Sequence, residues 1–375
     1  MAEMKITKTE TTEMGTSEMT VEVKDIEITG DMVTSLFGRK VESSESGILQ
    51  RTIEQNENNG IDHDVVVIYD NAGIPSIMHR FRRITNKDLF GGSDKPHPAF
   101  VIGGEIYDEI YISVYENSCI NGKPYSLPYR KSWTNISNDV AAAACFSKGD
   151  GWHLMTAAEW GLLANLSLRN RTLPHGNTYE GKYHAGLQEH GGVYGKYYTF
   201  TGSGPITWTH NHTPEGVHDL CGNHWEMVRG LRIENGELQA AQNNDAALDI
   251  DLSRNGNGWE NIKDKNGKPI WASVDTGITL TTNRDIARFD AGVRWKDVVM
   301  ACDSEQLKEL AMYKGEPDAD CFIYSTKGEF FPIRGGGCNS QDFAGVFNIN
   351  LIEPRTYAYD NIGFRSAYFR KKERD

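Results

Sequence analysis

The chain has six cysteines in 375 residues and none of them is paired by spacing: Cys119, Cys145, Cys221, Cys302, Cys321 and Cys338 never come closer than seventeen residues. That spacing excludes C-x-x-C zinc and redox motifs. Scattered cysteines in a chain of this length read as small buried hydrophobes. No apolar run approaches the length of a helical membrane span, so no membrane is expected among its partners. The first residues, MAEMKITKTETTEM, are polar and have no apolar centre, so no secretory signal is expected. Synthesis is therefore placed in the cytoplasm, with later release by lysis as part of a particle. Basic residues are scarce as well. Lys and Arg number 39 against 52 Asp and Glu, a net charge of −13. Such a surface repels phosphate, so no nucleic-acid partner is expected. The only dense basic runs are HRFRRITNK at His79–Lys87 and the tail FRKKERD.

What the chain does hold is ordinary globular material, 38% hydrophobic and 10% aromatic, with 38 Gly, 16 Tyr and 8 Trp that point to many turns and aromatic packing. Residues 1–60 differ from the rest in being rich in Glu, Thr, Met and Ser. MTVEVKDIEITG alternates like a strand, and ILQRTIEQNENNG suits a short helix stopped by Gly60. A separate N-terminal assembly or attachment module over 1–70 is expected, followed by one domain over 71–375.

In that domain HDVVVIYDNAGIPSIMHRFRRI reads as strand, turn, strand. EIYISVYEN alternates, and Asn121–Gly122 is a hairpin signal. Two helices should follow. SNDVAAAACFSKGDG is capped at Ser137 or Asn138; TAAEWGLLANLSLRN opens with a Thr156/Glu159 capping box and carries Trp160, Leu163 and Leu166 on one stripe. GWHLMT links them as a short strand. Beyond residue 175 the chain is Gly-, Asn- and Trp-rich, a mesh of short strands and long loops in which DSEQLKELAMYKG is the one helix candidate. The order gives an α+β class: two helices, short twisted antiparallel sheets and long loops.

Four phrases stand out in order: GWHLMTAAEW, VHDLCGNHWEMVRGLR, IRGGG and NIGFRSAY. In the second, Gly222 suits a backbone conformation other residues resist, Asn223 and Glu226 offer acceptors that tie loops together, and Trp225 is a large plate for burial. In the last, Ile362 and Phe364 should point inward and Arg365 should pair with a carboxylate or with carbonyls. Together the phrases resemble the formylglycine-generating-enzyme (sulfatase-modifying-factor) branch of the C-type lectin fold. Within it they look most like variable proteins diversified by retroelements. The resemblance covers residues 73–375.

It implies either an enzyme or a binder. The oxidases of this branch hold copper on two nearby C-terminal cysteines. Here Cys338 stands alone in that segment, with Cys321 in a different phrase, so the soft thiolate pair is missing. A metal-dependent relative would use a histidine cluster, and His210, His212, His218 and His224 form the one such cluster here. The sugar-binding tripeptides of calcium lectins are absent; EPR at Glu353–Arg355 puts a cation where calcium would sit. No cofactor is expected, and structural calcium elsewhere stays open. The alternative reading is thus a formylglycine-generating-type oxidase or other metal-dependent enzyme.

The resemblance to diversified proteins instead implies a variable region at about 334–365, in which Asn codons of a template are randomised. The matching variable, ligand-binding positions are Gly337, Cys338, Asn339, Ser340, Asp342, Phe343, Asn348, Asn350, Ile352, Tyr357, Tyr359 and Asp360. Tyr and Phe supply contact area, and Asn, Ser and Asp adaptable hydrogen bonds. Gln341, Glu353 and Pro354 fit neither class. Fixed positions would be Arg334, Gly335, Gly336, Ala344–Phe347, Arg355 and Ile362–Arg365. In VFNINLIE, Phe347, Ile349 and Leu351 should face the core, and Asn348, Asn350 and Ile352 the solvent. This implies a non-enzymatic receptor-binding protein of a phage tail, located in the virion, or a displayed bacterial adhesin. Its partners would be a host-surface protein or glycan and, through the N-terminal module, particle proteins. Avidity would suit a homo-trimer.

Overall fold

A computed structural model of the full chain describes residues 4–12, 15–23, 64–274, 277–284, 290–324 and 328–372. The chain forms two compact units, Met1–Ser43 and Ser44–Asp375. In the first, Met4–Thr12 pairs antiparallel with Gly15–Val23. The helix expected at 48–60 lies outside the described residues.

The second unit is mixed α/β, mostly sheet with few helices. A five-stranded antiparallel sheet runs in the order Trp152–Leu154, Ser366–Tyr368, Glu109–Ser113, Pro75–Arg82, Val65–Tyr69. Its hairpins follow the local signals. At the expected Asn121–Gly122 turn both residues have positive φ, 51° and 75°, as a tight hairpin requires. A larger sheet holds the strands from Trp225 to Phe364. At its middle Gly345–Pro354 lies between Glu329–Gly335, antiparallel, and Asp320–Tyr324, parallel. Trp225–Met227 likewise pairs parallel with Ile362–Phe364. The purely antiparallel sheets read from the sequence are thus corrected. These parallel neighbours are joined by long excursions, which an alternation pattern does not record.

Both expected helices form. Ala157–Asn170 opens on the capping box: Thr156 Oγ1 accepts from Glu159 N at 3.1 Å and Glu159 Oε2 accepts from Thr156 N at 2.9 Å. Asn138–Phe146 follows Ser137, whose side chain makes no capping bond. Two five-residue helices, Asn86–Phe90 and Glu305–Glu309, pack beside the long one. Trp160, at 1% exposure, sends its Nε1–H to Val346 O at 2.7 Å, and buried Trp295 does the same to Phe347 O at 2.7 Å. Two indoles therefore grip the main chain of the central strand where it begins.

A buried ion pair joins the sheets. The Arg365 guanidinium is bidentate to Glu226, with Nε to Oε2 at 2.6 Å, and also donates to Ser113 O at 3.1 Å and His218 O at 3.0 Å. Both expected partner types, carboxylate and carbonyl, are present. Arg334 is equally buried but has no carboxylate within ion-pair distance among the described residues; it donates to Ala311 O at 3.2 Å and leaves Nε and Nη1 without partners. Removing one member of a buried pair strands the other, which costs about 3–5 kcal/mol. Arg365→Met should lose about that much in urea denaturation. Arg334→Met strands no carboxylate and should lose distinctly less.

Burial also sets a pH response. The rings of His97 and His218 are pushed down to about 3 by desolvation, so the unfolded chain takes up protons that the folded chain refuses. Their contribution is complete above the unfolded value near 6.5 and is lost as pH falls from there towards 3. Asp219 and Glu316 run the other way: burial lifts both to about 7, so their folded forms hold protons and lose stability as pH rises to about 7. The C2 protons of His97 and His218 should show no titration between pH 5 and 8 by NMR; a midpoint near 6.5 for either would refute the assignment.

Candidate ligand-binding face

The segment 334–365 begins inside the protein. Gly335 and Gly336 have φ of 88° and 85°; a Cβ on Gly335 would lie 2.8 Å from Leu220 O, and one on Gly336 2.8 Å from the Ala344 Cβ. Only glycine fits both demands, so IRGGG turns the chain sharply out of the sheet. Gly337 follows, buried, where a Cβ would stand 3.2 Å from the Trp225 indole nitrogen. Cys338 is 7% exposed, and burial pushes its thiol up to about 11. Neither residue is presented to solvent.

From Asn339 the chain surfaces. Asn339, Gln341, Asp342 and Phe343 are exposed and Ser340 is half-buried. Gln341–Phe343 forms one turn of 3-10 helix in which Gln341 has φ of 48°. Arg294 reaches this turn from another strand: Nη2 donates to Asp342 Oδ2 at 2.7 Å, and the guanidinium lies over the Phe343 ring at 4.4 Å.

The central strand then departs from the expected alternation. Phe347, Ile349 and Leu351 are fully buried, as expected. Asn348 and Asn350, placed towards solvent by their spacing, are buried too, at 0% and 8%. The strand has a partner on each side, and the Gln341–Phe343 turn is tied back to it: Asn348 Nδ2 donates to Phe343 O at 2.7 Å. Asn350 Oδ1 accepts from Ile352 N at 2.9 Å. Ile352 is half-buried. Beyond the strand, Tyr359 and Asp360 are exposed and Tyr357 is half-buried, its ring 4.5 Å from that of Tyr359. Apart from half-buried Ile352, the exposed and half-buried candidates fall into two groups, 339–343 and 357–360.

Elsewhere in the chain, residues 177–199 adjoin the first group. Gln341 N donates to Thr178 O at 3.0 Å and Glu180 N to Cys338 O at 3.0 Å. Beside them Tyr198 stacks on His224 at 4.3 Å, and His224 Nδ1 meets the buried carboxylate of Glu116 at 2.9 Å. Sequence reasoning missed this flank and Arg294, which stands 48 residues from Asp342. No local pattern marks such a partner.

The four histidines once grouped by sequence are engaged separately. Val217 N donates to His210 Nδ1 at 2.8 Å, His212 Nε2 lies 3.2 Å from Leu173 O, His218 is buried with Nδ1 unpartnered, and His224 faces Glu116. Among the described residues no three His, Cys, Asp or Glu side chains are grouped to hold a metal ion. All six cysteines are free, four of them buried.

No protein-family model matches the chain. No curated protein matches it. Among solved structures it is similar to the "Major Tropism Determinant U1 Variant", with 11% identity and a TM-score of 0.29 over 82% of this chain and 72% of that one. It is also similar to the "Major Tropism Determinant M1 Variant", again with 11% identity and a TM-score of 0.29, over 82% and 71%.

The geometry separates substitutions at the face. Phe343→Ser and Tyr359→Ser, at exposed positions, should change stability by no more than about 0.5 kcal/mol. Gly336→Ala should cost at least about 1–2 kcal/mol, since it forces an L side chain into left-handed backbone against Ala344. Thermal denaturation of the three variants checks both.

Proposed function

We propose that this chain is a receptor-binding protein of a phage tail, built on a C-type lectin fold of the formylglycine-generating-enzyme branch. Its binding face is the pair of exposed groups at 339–343 and 357–360, diversified by a retroelement. The N-terminal module attaches it to the particle, and the face meets a host-surface protein or glycan. Binding needs no cofactor and no chemistry.

One observation carries this reading: the face is tied down mainly through its main chain. Cys338 N donates to Asn223 O at 2.9 Å, Cys338 O accepts from Glu180 N, Gln341 N donates to Thr178 O, and Tyr359 O accepts from Asn135 N at 3.0 Å. Side chains can change at such positions while the anchors stay. The outward residues, Asn339, Asp342, Phe343, Tyr357, Tyr359 and Asp360, combine aromatic area with small polar groups as paratopes do.

Two results are expected. DNA flanking the gene should carry a near-copy of the 337–360 coding region with Asn codons at the variable positions, beside a reverse transcriptase; without them diversification fails. Particles bearing Phe343→Ser with Tyr359→Ser should lose at least about tenfold in host adsorption, as loss of aromatic anchors does at other interfaces. Unchanged adsorption would make the chain a structural particle protein instead.

A further inference from the structure

We propose that position 348 acts from beneath the recognition loop, setting the shape of the 341–343 turn without touching the ligand. The inference rests on the receptor-binding reading for its consequence, but its geometry stands alone.

Asn348 is fully buried, and its amide donates to Phe343 O at 2.7 Å. That bond runs from the central strand to the last residue of the exposed turn. The turn needs holding. Gln341 sits at φ of 48°, a conformation side chains resist, and the turn's own bonds are few: Phe343 N to Ser340 O at 3.0 Å and Ala344 N to Gln341 O at 3.3 Å. From outside it is gripped by Arg294 through Asp342 and the Phe343 ring. From below it is gripped by Asn348.

The other half of the same amide argues that packing is not the whole role. Asn348 Oδ1 is buried without a hydrogen-bond partner. A buried unsatisfied oxygen is costly, and an apolar residue of similar size would avoid that cost. What an apolar residue would forfeit is the N–H donor to Phe343. Ser is too short to reach as Asn does, and Tyr and Phe are larger than the fully buried side chain they would replace. Each exchange re-aims Asp342 and Phe343. Diversity at this position would then alter specificity indirectly, by moving neighbours that do meet the ligand. The face has two tiers, an outer set that touches and an inner residue that aims.

The test is amide hydrogen exchange on the full chain. Asn348→Leu, of similar size but lacking the donor, and Asn348→Ala should each speed exchange of the Phe343 and Ala344 amides by at least about tenfold. Amides of Ile349–Leu351 should stay as protected as in wild type, which separates loosening of the turn from loss of the fold. Asp342→Ala, which releases the turn from Arg294 alone, gives the comparison from the outer side. Wild-type exchange at Phe343 and Ala344 in a folded Asn348→Leu protein overturns the proposal. General deprotection in both variants overturns it too, because position 348 would then be holding the core. Host adsorption distinguishes the two readings. Faster turn exchange with adsorption unaffected by Phe343→Ser and Tyr359→Ser would sink the receptor-binding reading and leave the positioning role. Slow exchange with adsorption lost would do the reverse.

Discussion

The contact between Arg365 and Glu226 is the constraint on which the rest of the second unit depends. Arg365 lies next to the strand Ser366–Tyr368 of the five-stranded sheet; Glu226 belongs to a strand of the larger sheet. The same guanidinium reaches carbonyls of Ser113 and His218, so one side chain ties its own segment to two stretches far from it in sequence, around 113 and over 218–226. Burial lifts Glu226 to about 7 even against the pull of Arg365, with the carboxylates of Glu116 and Asp219 adding to the lift. A single cation thus stands among three buried acids. Such an arrangement is a poor source of net stability, because taking these charges out of water costs about as much as their attraction returns.

Much of this was legible beforehand because it is local. The capping box at Thr156 and Glu159 is written in four consecutive residues, and the hairpin at Asn121–Gly122 in two. Arg365 was legible as a buried cation in want of an acceptor. The burial of Asn348 and Asn350 was not, since period-2 alternation describes a strand with one wet face. Here a neighbouring turn folds back over the strand, and the turn is held by Arg294, which no spacing rule connects to it. Of the residues placed on the face by resemblance, Gly337 and Cys338 are buried for a similar reason: they lie against Trp225 and Asn223, in a phrase more than a hundred positions upstream.

The protein therefore separates two duties by depth. The indoles of Trp160 and Trp295 and the glycines of IRGGG settle where the main chain runs. Asn339, Asp342, Phe343, Tyr359 and Asp360 then occupy exposed positions, with Asp342 and Phe343 held by Arg294. Asn348 stands between these layers, attached to the frame but bonded to the loop.

The strand Ser366–Tyr368 has a consequence for how the chain is made. It lies between Trp152–Leu154 and Glu109–Ser113, inside a sheet whose other members are completed more than two hundred residues earlier. Those early strands wait, open on an edge, until the ribosome has passed the whole of 334–365. A premature stop anywhere in that stretch leaves the sheet split and its apolar faces uncovered, fit for degradation. The five-stranded sheet is thus completed only once the chain has been made through Tyr368.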